Sequence, residues 1–127
     1  GYAENGLVAE AETNEIVAYA TWGPARRQWV APGDPPAAQI FELYVQQDYR
    51  DQGLGRRFCS TIANRVAGRG IRALYVEVLE GNPNRFFYET MGATLAARTQ
   101  RDFAGERLAT AVYVWTNLKA LSESEVD

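Results

Sequence analysis

The run Arg50-Asp51-Gln52-Gly53-Leu54-Gly55-Arg56-Arg57 concentrates the chemistry of this chain. Glycines at 53 and 55 let the backbone approach a ligand closely and adopt dihedrals closed to other residues. At the start of a helix they leave unpaired N–H groups aimed at one point, where the helix dipole adds about half a positive charge. Arg50, Arg56 and Arg57 add side-chain charge. A pyrophosphate suits such a cradle. The same residues could instead shape a tight turn beside a solvated basic face. A phosphate loop of the Gly-Lys-Ser/Thr kind is excluded, because Gly55 is followed by Arg56-Arg57-Phe58. The dinucleotide fingerprint GxGxxG is closer, with Glu77 near the distance of a ribose-binding acid, but Phe58 stands where the third glycine belongs. A nucleotide-binding fragment remains a competing reading.

Absent residues narrow the chemistry further. The chain has no histidine, so a Ser-His-Asp triad, a Cys-His dyad and a histidine general base are excluded within it, as is a His-bearing zinc site. Acid–base work falls to carboxylates, Tyr or Lys, and no metal is expected. Cys59, the one cysteine, can form neither an internal disulfide nor a CxxC pair, and beside Phe58 it reads as core.

The elements around the loop follow from periodicity. Leu54, Phe58, Ile62 and Val66 recur at i+4 steps, with Cys59 and Ala63 widening the stripe, which predicts an amphipathic helix over Gly53–Ala67 that stops at Gly68-Arg69-Gly70. Strands are predicted before it at Gln39–Val45 and after it at Ala73–Leu79, and strand-helix-strand order implies a parallel pair. Simple alternation puts Phe41, Leu43 and Val45 on one face of the first strand and Ile40, Glu42 and Tyr44 on the other. Gly6–Glu12 and Glu15–Trp22 read as a hairpin about Asn14, Gly23–Pro36 as a Pro-rich surface loop, and Pro83 or Asn84 through Met91 as a short helix ending at Gly92. Thr94–Phe103 and Arg107–Asn117 form a second hairpin, and residues 118–127 are expected to be a frayed, acidic tail.

At 127 residues and 14.1 kDa the chain is expected to form a single domain over 1–127. A net charge of −3 provides no overall field for a nucleic-acid backbone. No apolar run is long enough for a membrane span and residues 1–12 lack a signal-peptide pattern, so a cytoplasmic protein without nucleic-acid or membrane partners is expected.

Arg50, Gly53 and Gly55 match a loop of the form Gln/Arg-x-x-Gly-x-Gly/Ala; Asn82 ends the next strand, and Phe87-Tyr88 precede Gly92 in the following helix. In both blocks, which run from about Glu42 to Ala93, and in its order of elements from Leu7 to Asn117, the chain resembles the GNAT superfamily of acyl-CoA N-acyltransferases. The resemblance implies an α/β (α+β) fold with a mixed, mostly antiparallel sheet, a splayed parallel strand pair and flanking helices. It also implies acetyl-CoA as cosubstrate, lying where the Gln39–Val45 and Ala73–Leu79 strands part. The main chain of Leu43, Tyr44 and Val45 would pair with the pantetheine arm, and a backbone N–H there would polarise the thioester carbonyl. The amides of Gln52, Gly53, Leu54, Gly55, Arg56 and Arg57 would take the pyrophosphate. Asn82 would bond the pantetheine, or else cap the helix after Pro83.

On the same resemblance Tyr88 is the expected general acid, a phenol of pKa near 10 delivering a proton to the CoA thiolate; the alternative is an aromatic packed beside Phe86 and Phe87. Glu42, on the cofactor strand, is the expected base, with Glu77 and Glu80 as alternatives, and Tyr44 could line the acceptor pocket. Arg26, Arg27 and Trp29 could contact an acceptor from the Pro-rich loop. The implied reaction moves an acetyl group to a primary amine, on a small molecule or a peptide, by direct attack in a ternary complex; a non-catalytic acyl-CoA-binding module is the alternative. Family members normally begin with a strand and one or two helices that wall the acceptor site, and this chain reads as starting at the second strand. Edge strands of the C-terminal hairpin could support a homodimer.

Overall fold

The computed structural model describes residues 5–26, 30 and 32–123. Strands β1 (Asn5–Glu10) and β2 (Ile16–Pro24) pair antiparallel about a turn in which Asn14 takes a φ of 70°. Strand β3 (Ala37–Val45) returns antiparallel to β2, and a 3-10 turn at Gln47–Tyr49 leads to helix α1 (Leu54–Ala67). Strand β4 (Ala73–Leu79) lies parallel to β3, as the strand-helix-strand order requires. Helix α2 (Arg85–Thr90) precedes the hairpin of β5 (Thr94–Phe103) and β6 (Glu106–Trp115), and β6 inserts between β4 and β5. The six strands lie in the order β1-β2-β3-β4-β6-β5, mixed and mostly antiparallel.

Phe58, Cys59, Ile62, Ala63 and Val66 of α1 are buried in one core with Ala18, Ala20, Trp22, Ile40, Leu74 and Val76 of the sheet. The Cys59 thiol is fully enclosed there, and burial pushes its pKa up to about 12 although Arg56 pulls the other way. Residues 118–122, expected to fray, instead form a short helix α3 (Leu118–Ser122). Asn117 caps it by accepting the Ala120 N–H at 3.1 Å, and Leu118 and Leu121, three apart and so on one face, are buried in the core.

Strand β3 departs from simple alternation in a way that shapes the molecule. Thr21 pairs with Glu42 but Trp22 pairs with Ile40, so Phe41 is an extra residue, a β-bulge. The phase inverts across it: Ile40 shares the core-facing side with Leu43 and Val45, opposite Trp22, Ala20 and Ala18. The parallel pairing of β3 with β4 ends at the same point. It runs from Ala37–Ala73 to Ile40–Val76 and stops, although β3 continues to Val45 and β4 to Leu79. Beyond the bulge the two strands splay apart.

Candidate active site

On the α1 side of this splay lies a cavity of about 510 Å³. Leu43, Tyr44 and Val45 of β3 form one wall. The loop and first turn of α1 form another, through Arg50, Gly53, Leu54, Gly55 and Arg56. Gly53 precedes α1 with a left-handed φ of 80°, a conformation that glycine adopts at no steric cost. The Arg57 N–H already donates to the Gly53 carbonyl at 3.0 Å, the first bond of the helix. The amides before it, through Arg56, have no partner within the helix, whereas the Arg57 amide, expected to be among the free ones, is engaged. Gln52 and Arg57 are exposed and line neither cavity described here. Arg50 donates its Nε–H to the Val45 carbonyl at 3.1 Å, tying the loop to the end of β3. Gly55 permits close approach: a Cβ there would lie 3.1 Å from the Phe87 ring, so the ring would have to shift by a few tenths of an ångström to admit it.

A second cavity, of about 340 Å³, opens on the other face of the sheet. Its wall includes Gln39, Glu77 and Thr110, whose neighbours Ile40, Val76 and Ala111 point into the core. Phe41, Arg26, Arg101 and Phe103 stand around it. Leu43, Asn82 and Tyr88 line both cavities, so the two spaces meet where β3 and β4 part.

Tyr88 is 6 % exposed at this junction. Its ring meets Phe87 and Trp115 edge-on, at centroid distances of 5.4 and 5.7 Å. Helix α2 is pinned beneath it by Trp115 Nε1 donating to the Met91 carbonyl at 3.2 Å and by the Tyr113 hydroxyl donating to Glu89 at 2.6 Å. Packing and proton donation are therefore compatible: the ring is held while the hydroxyl has no hydrogen-bond partner among the described residues. Burial first, and the neighbouring Cys59 second, hold its pKa well above the ordinary tyrosine value, so the phenol stays protonated at neutral pH. Asn82 does cap the turn into α2, its Oδ1 accepting the Asn84 N–H at 2.9 Å, which leaves its NH₂ as the donor it can offer the junction.

Glu42, the expected base, lies on β3 opposite Thr21. It is exposed, lines neither cavity, and accepts a hydrogen bond from the Thr21 hydroxyl at 3.2 Å. Tyr44 borders the α1-side cavity rather than the second one, and stacks at 5.5 Å on Tyr19. Glu80 points to Arg98, 3.6 Å away. The carboxylate that lines the second cavity is Glu77, which is 8 % exposed, ion-paired to Arg101 and bonded by the Thr110 hydroxyl at 2.8 Å. The signal for this cluster was a lone acid inside the apolar strand Ala73–Leu79. Arg26 borders the same cavity, whereas Arg27 and Trp29 lie outside the described residues. Among the described residues, no group of three or more His, Cys, Asp or Glu side chains is arranged to hold a metal ion, and no helix is long and apolar enough to cross a membrane.

This arrangement has relatives. The profile of the Acetyltransferase (GNAT) family matches residues 2–93. An uncharacterized N-acetyltransferase of Bacillus subtilis, YuaI, is 26 % identical over 115 residues, which is 91 % of this chain and 64 % of that protein's length. Arabidopsis thaliana NAA60, solved with a bisubstrate analogue, superposes with a TM-score of 0.76 at 16 % identity, covering 91 % of this chain and 77 % of its own. The same protein with acetyl-CoA gives 0.74. A ribosomal-protein-alanine N-acetyltransferase from Brucella melitensis gives 0.70 at 22 % identity, covering 87 % and 67 %. The splayed parallel pair, the glycine loop at the start of α1 and a family match across most of the sequence lead to one conclusion: this chain belongs to the GNAT acetyltransferase family.

Proposed function

We propose that the chain transfers the acetyl group of acetyl-CoA to a primary amine by direct attack within a ternary complex. The observation that carries this reading is the meeting of two cavities from opposite faces of the sheet at Leu43, Asn82 and Tyr88. Acetyl-CoA occupies the larger cavity. Its diphosphate lies on the free amides of Gly53 to Arg56 with Arg50 and Arg56 alongside, and its pantetheine runs along the Leu43–Val45 main chain. Asn82 donates to the pantetheine end. The acceptor enters from the smaller cavity.

The attacking nitrogen must first lose the proton it carries at neutral pH. That proton passes to water and Glu77, which takes the place expected of Glu42 as the carboxylate on the acceptor side. The nitrogen then bonds to the thioester carbon, the carbon–sulfur bond breaks, and the CoA thiolate takes the phenolic proton of Tyr88, which is later replenished from solvent. That the structural neighbour NAA60 was solved with acetyl-CoA and with a bisubstrate analogue supports acetyl-CoA as the cosubstrate.

Calorimetry with acetyl-CoA, combined with a thiol-release assay across an amine panel, tests the reading. Binding together with amine-dependent CoA release and an N-acetylated product is expected. Binding with no amine-dependent release identifies an acyl-CoA-binding module instead.

A further inference from the structure

The smaller cavity carries a charge arrangement that selects among amines. Two guanidinium groups border it, each over an aromatic ring: Arg26 at 5.9 Å from the Phe41 centroid and Arg101 at 5.7 Å from that of Phe103. They are not equivalent. Arg101 is neutralised by Glu77, whose second oxygen is held by Thr110. Arg26 has no carboxylate partner among the described residues, yet its backbone is anchored. The neighbouring Ala25 N–H extends the sheet to the Ala37 carbonyl at 2.9 Å, and the Arg26 N–H donates to Oε1 of the buried Gln39 at 3.0 Å. A side-chain amide inside the protein is thus committed to holding Arg26 at the cavity mouth.

Phe41, Leu79 and Phe103 give this cavity an apolar lining, beside which charge interactions strengthen. A polyamine brought to this space places its further ammonium groups against a cationic rim. An amine that also bears a carboxylate finds a planar, bidentate partner. About 340 Å³ is at the small end of ligand pockets and suits a molecule of amino-acid size.

We propose that the acceptor is a small amine carrying a carboxylate, an amino acid or a close analogue, with the carboxylate on Arg26 and the amine at the Asn82–Tyr88 junction. This deepens the transfer reading above and rests on it. The test uses carboxylated amines paired with their decarboxylated counterparts (leucine with isopentylamine, β-alanine with ethylamine, and so on through the common amino acids), with spermidine as the polycation. Carboxylated members are expected to exceed their counterparts in kcat/KM by about 10- to 100-fold, the value of a charge-assisted pair. In Arg26→Gln that ratio should collapse toward one, and Arg26→Lys should restore part of it. Preference for spermidine or for the decarboxylated amines, or a ratio unchanged in Arg26→Gln, overturns the proposal. If acetyl-CoA binds but no amine is turned over, the transfer reading fails separately, and calorimetric titration of the same pairs into CoA-loaded protein decides the acceptor class. Carboxylated members binding at least about tenfold tighter, with the difference lost in Arg26→Gln, sustain it; equal binding or none overturns it.

Discussion

Gly53 and Gly70 make a controlled pair for locating the diphosphate. Both hold left-handed backbone, with φ of 80° and 82°, and a Cβ added to either meets no protein atom within 4 Å. Alanine at each therefore introduces the same conformational strain and no clash, about 1–2 kcal/mol for an L-residue in that region. For a chain of this length that lowers Tm by roughly 3–8 °C in either variant. The two sites differ in what lies beside them. Gly53 borders the larger cavity next to the free amides of α1, whereas Gly70 lies beyond the far end of the helix and borders neither cavity. A methyl on Gly53 projects into the space assigned to the diphosphate and displaces it from one charge-assisted amide bond, which is about 1.5–3 kcal/mol, or roughly 10- to 100-fold in Kd. Thermal melts and calorimetry with acetyl-CoA read the two effects separately. Equal losses of Tm, with weaker acetyl-CoA binding only in Gly53→Ala, are expected. If both variants bind acetyl-CoA alike, the diphosphate does not sit on this loop.

Other consequences follow from the junction and the core. Tyr88→Phe retains the ring packing and removes a hydroxyl without a hydrogen-bond partner among the described residues, so it should lower kcat about 10²- to 10⁴-fold with little change in acetyl-CoA Kd or Tm; unaltered turnover removes Tyr88 from the chemistry. Because burial raises the Tyr88 pKa above its ordinary value of 10.0, kcat should show no alkaline fall between pH 8 and 10, and a limb centred below 10 assigns the donor to another group. Glu77→Gln breaks a part-buried ion pair and should lower kcat/KM at least about tenfold as well as Tm, whereas Glu42→Gln should leave kcat/KM within about twofold; the reverse order restores Glu42 as the base. The Cys59 thiol is bound to its proton more tightly in the folded state, about 12 against 9.0, so its stabilising contribution is complete below pH 9 and fades as pH rises toward 12. Denaturant titrations should show stability falling by about 1 kcal/mol between pH 8 and 10, and Cys59→Ala should flatten that slope.

Elements with strong local signals were readable from the sequence. The i+4 apolar stripe and the terminal glycines predicted α1 to within one residue at its start, and the order of strands about it predicted the parallel pair. The glycine-led start of α1, where the diphosphate is proposed to lie, was readable for the same reason, since glycine spacing and helix polarity act locally. The bulge at Phe41 was not: alternation is a local pattern, while the phase change is set by register against β2 and by burial of Ile40 beside Trp22. That one residue moved Ile40 to the face of Leu43 and Val45, while Glu42 kept the face opposite Leu43 and bonds Thr21. The Glu77–Arg101–Thr110 cluster was equally hidden, because its members are 24 and 33 residues apart and meet only through the pairing of β4, β6 and β5. Helix α3 was missed because Leu118 and Leu121 give a single turn of periodicity, and tertiary burial rather than propensity fixes it.

A crystal structure with acetyl-CoA bound tests the central claim most directly. The account predicts the diphosphate against the Gly53–Arg56 amides, the pantetheine along Leu43–Val45, and the sulfur within hydrogen-bonding reach of the Tyr88 hydroxyl where the two cavities meet. A cofactor whose diphosphate lies away from the start of α1, or whose sulfur ends outside that junction, contradicts it.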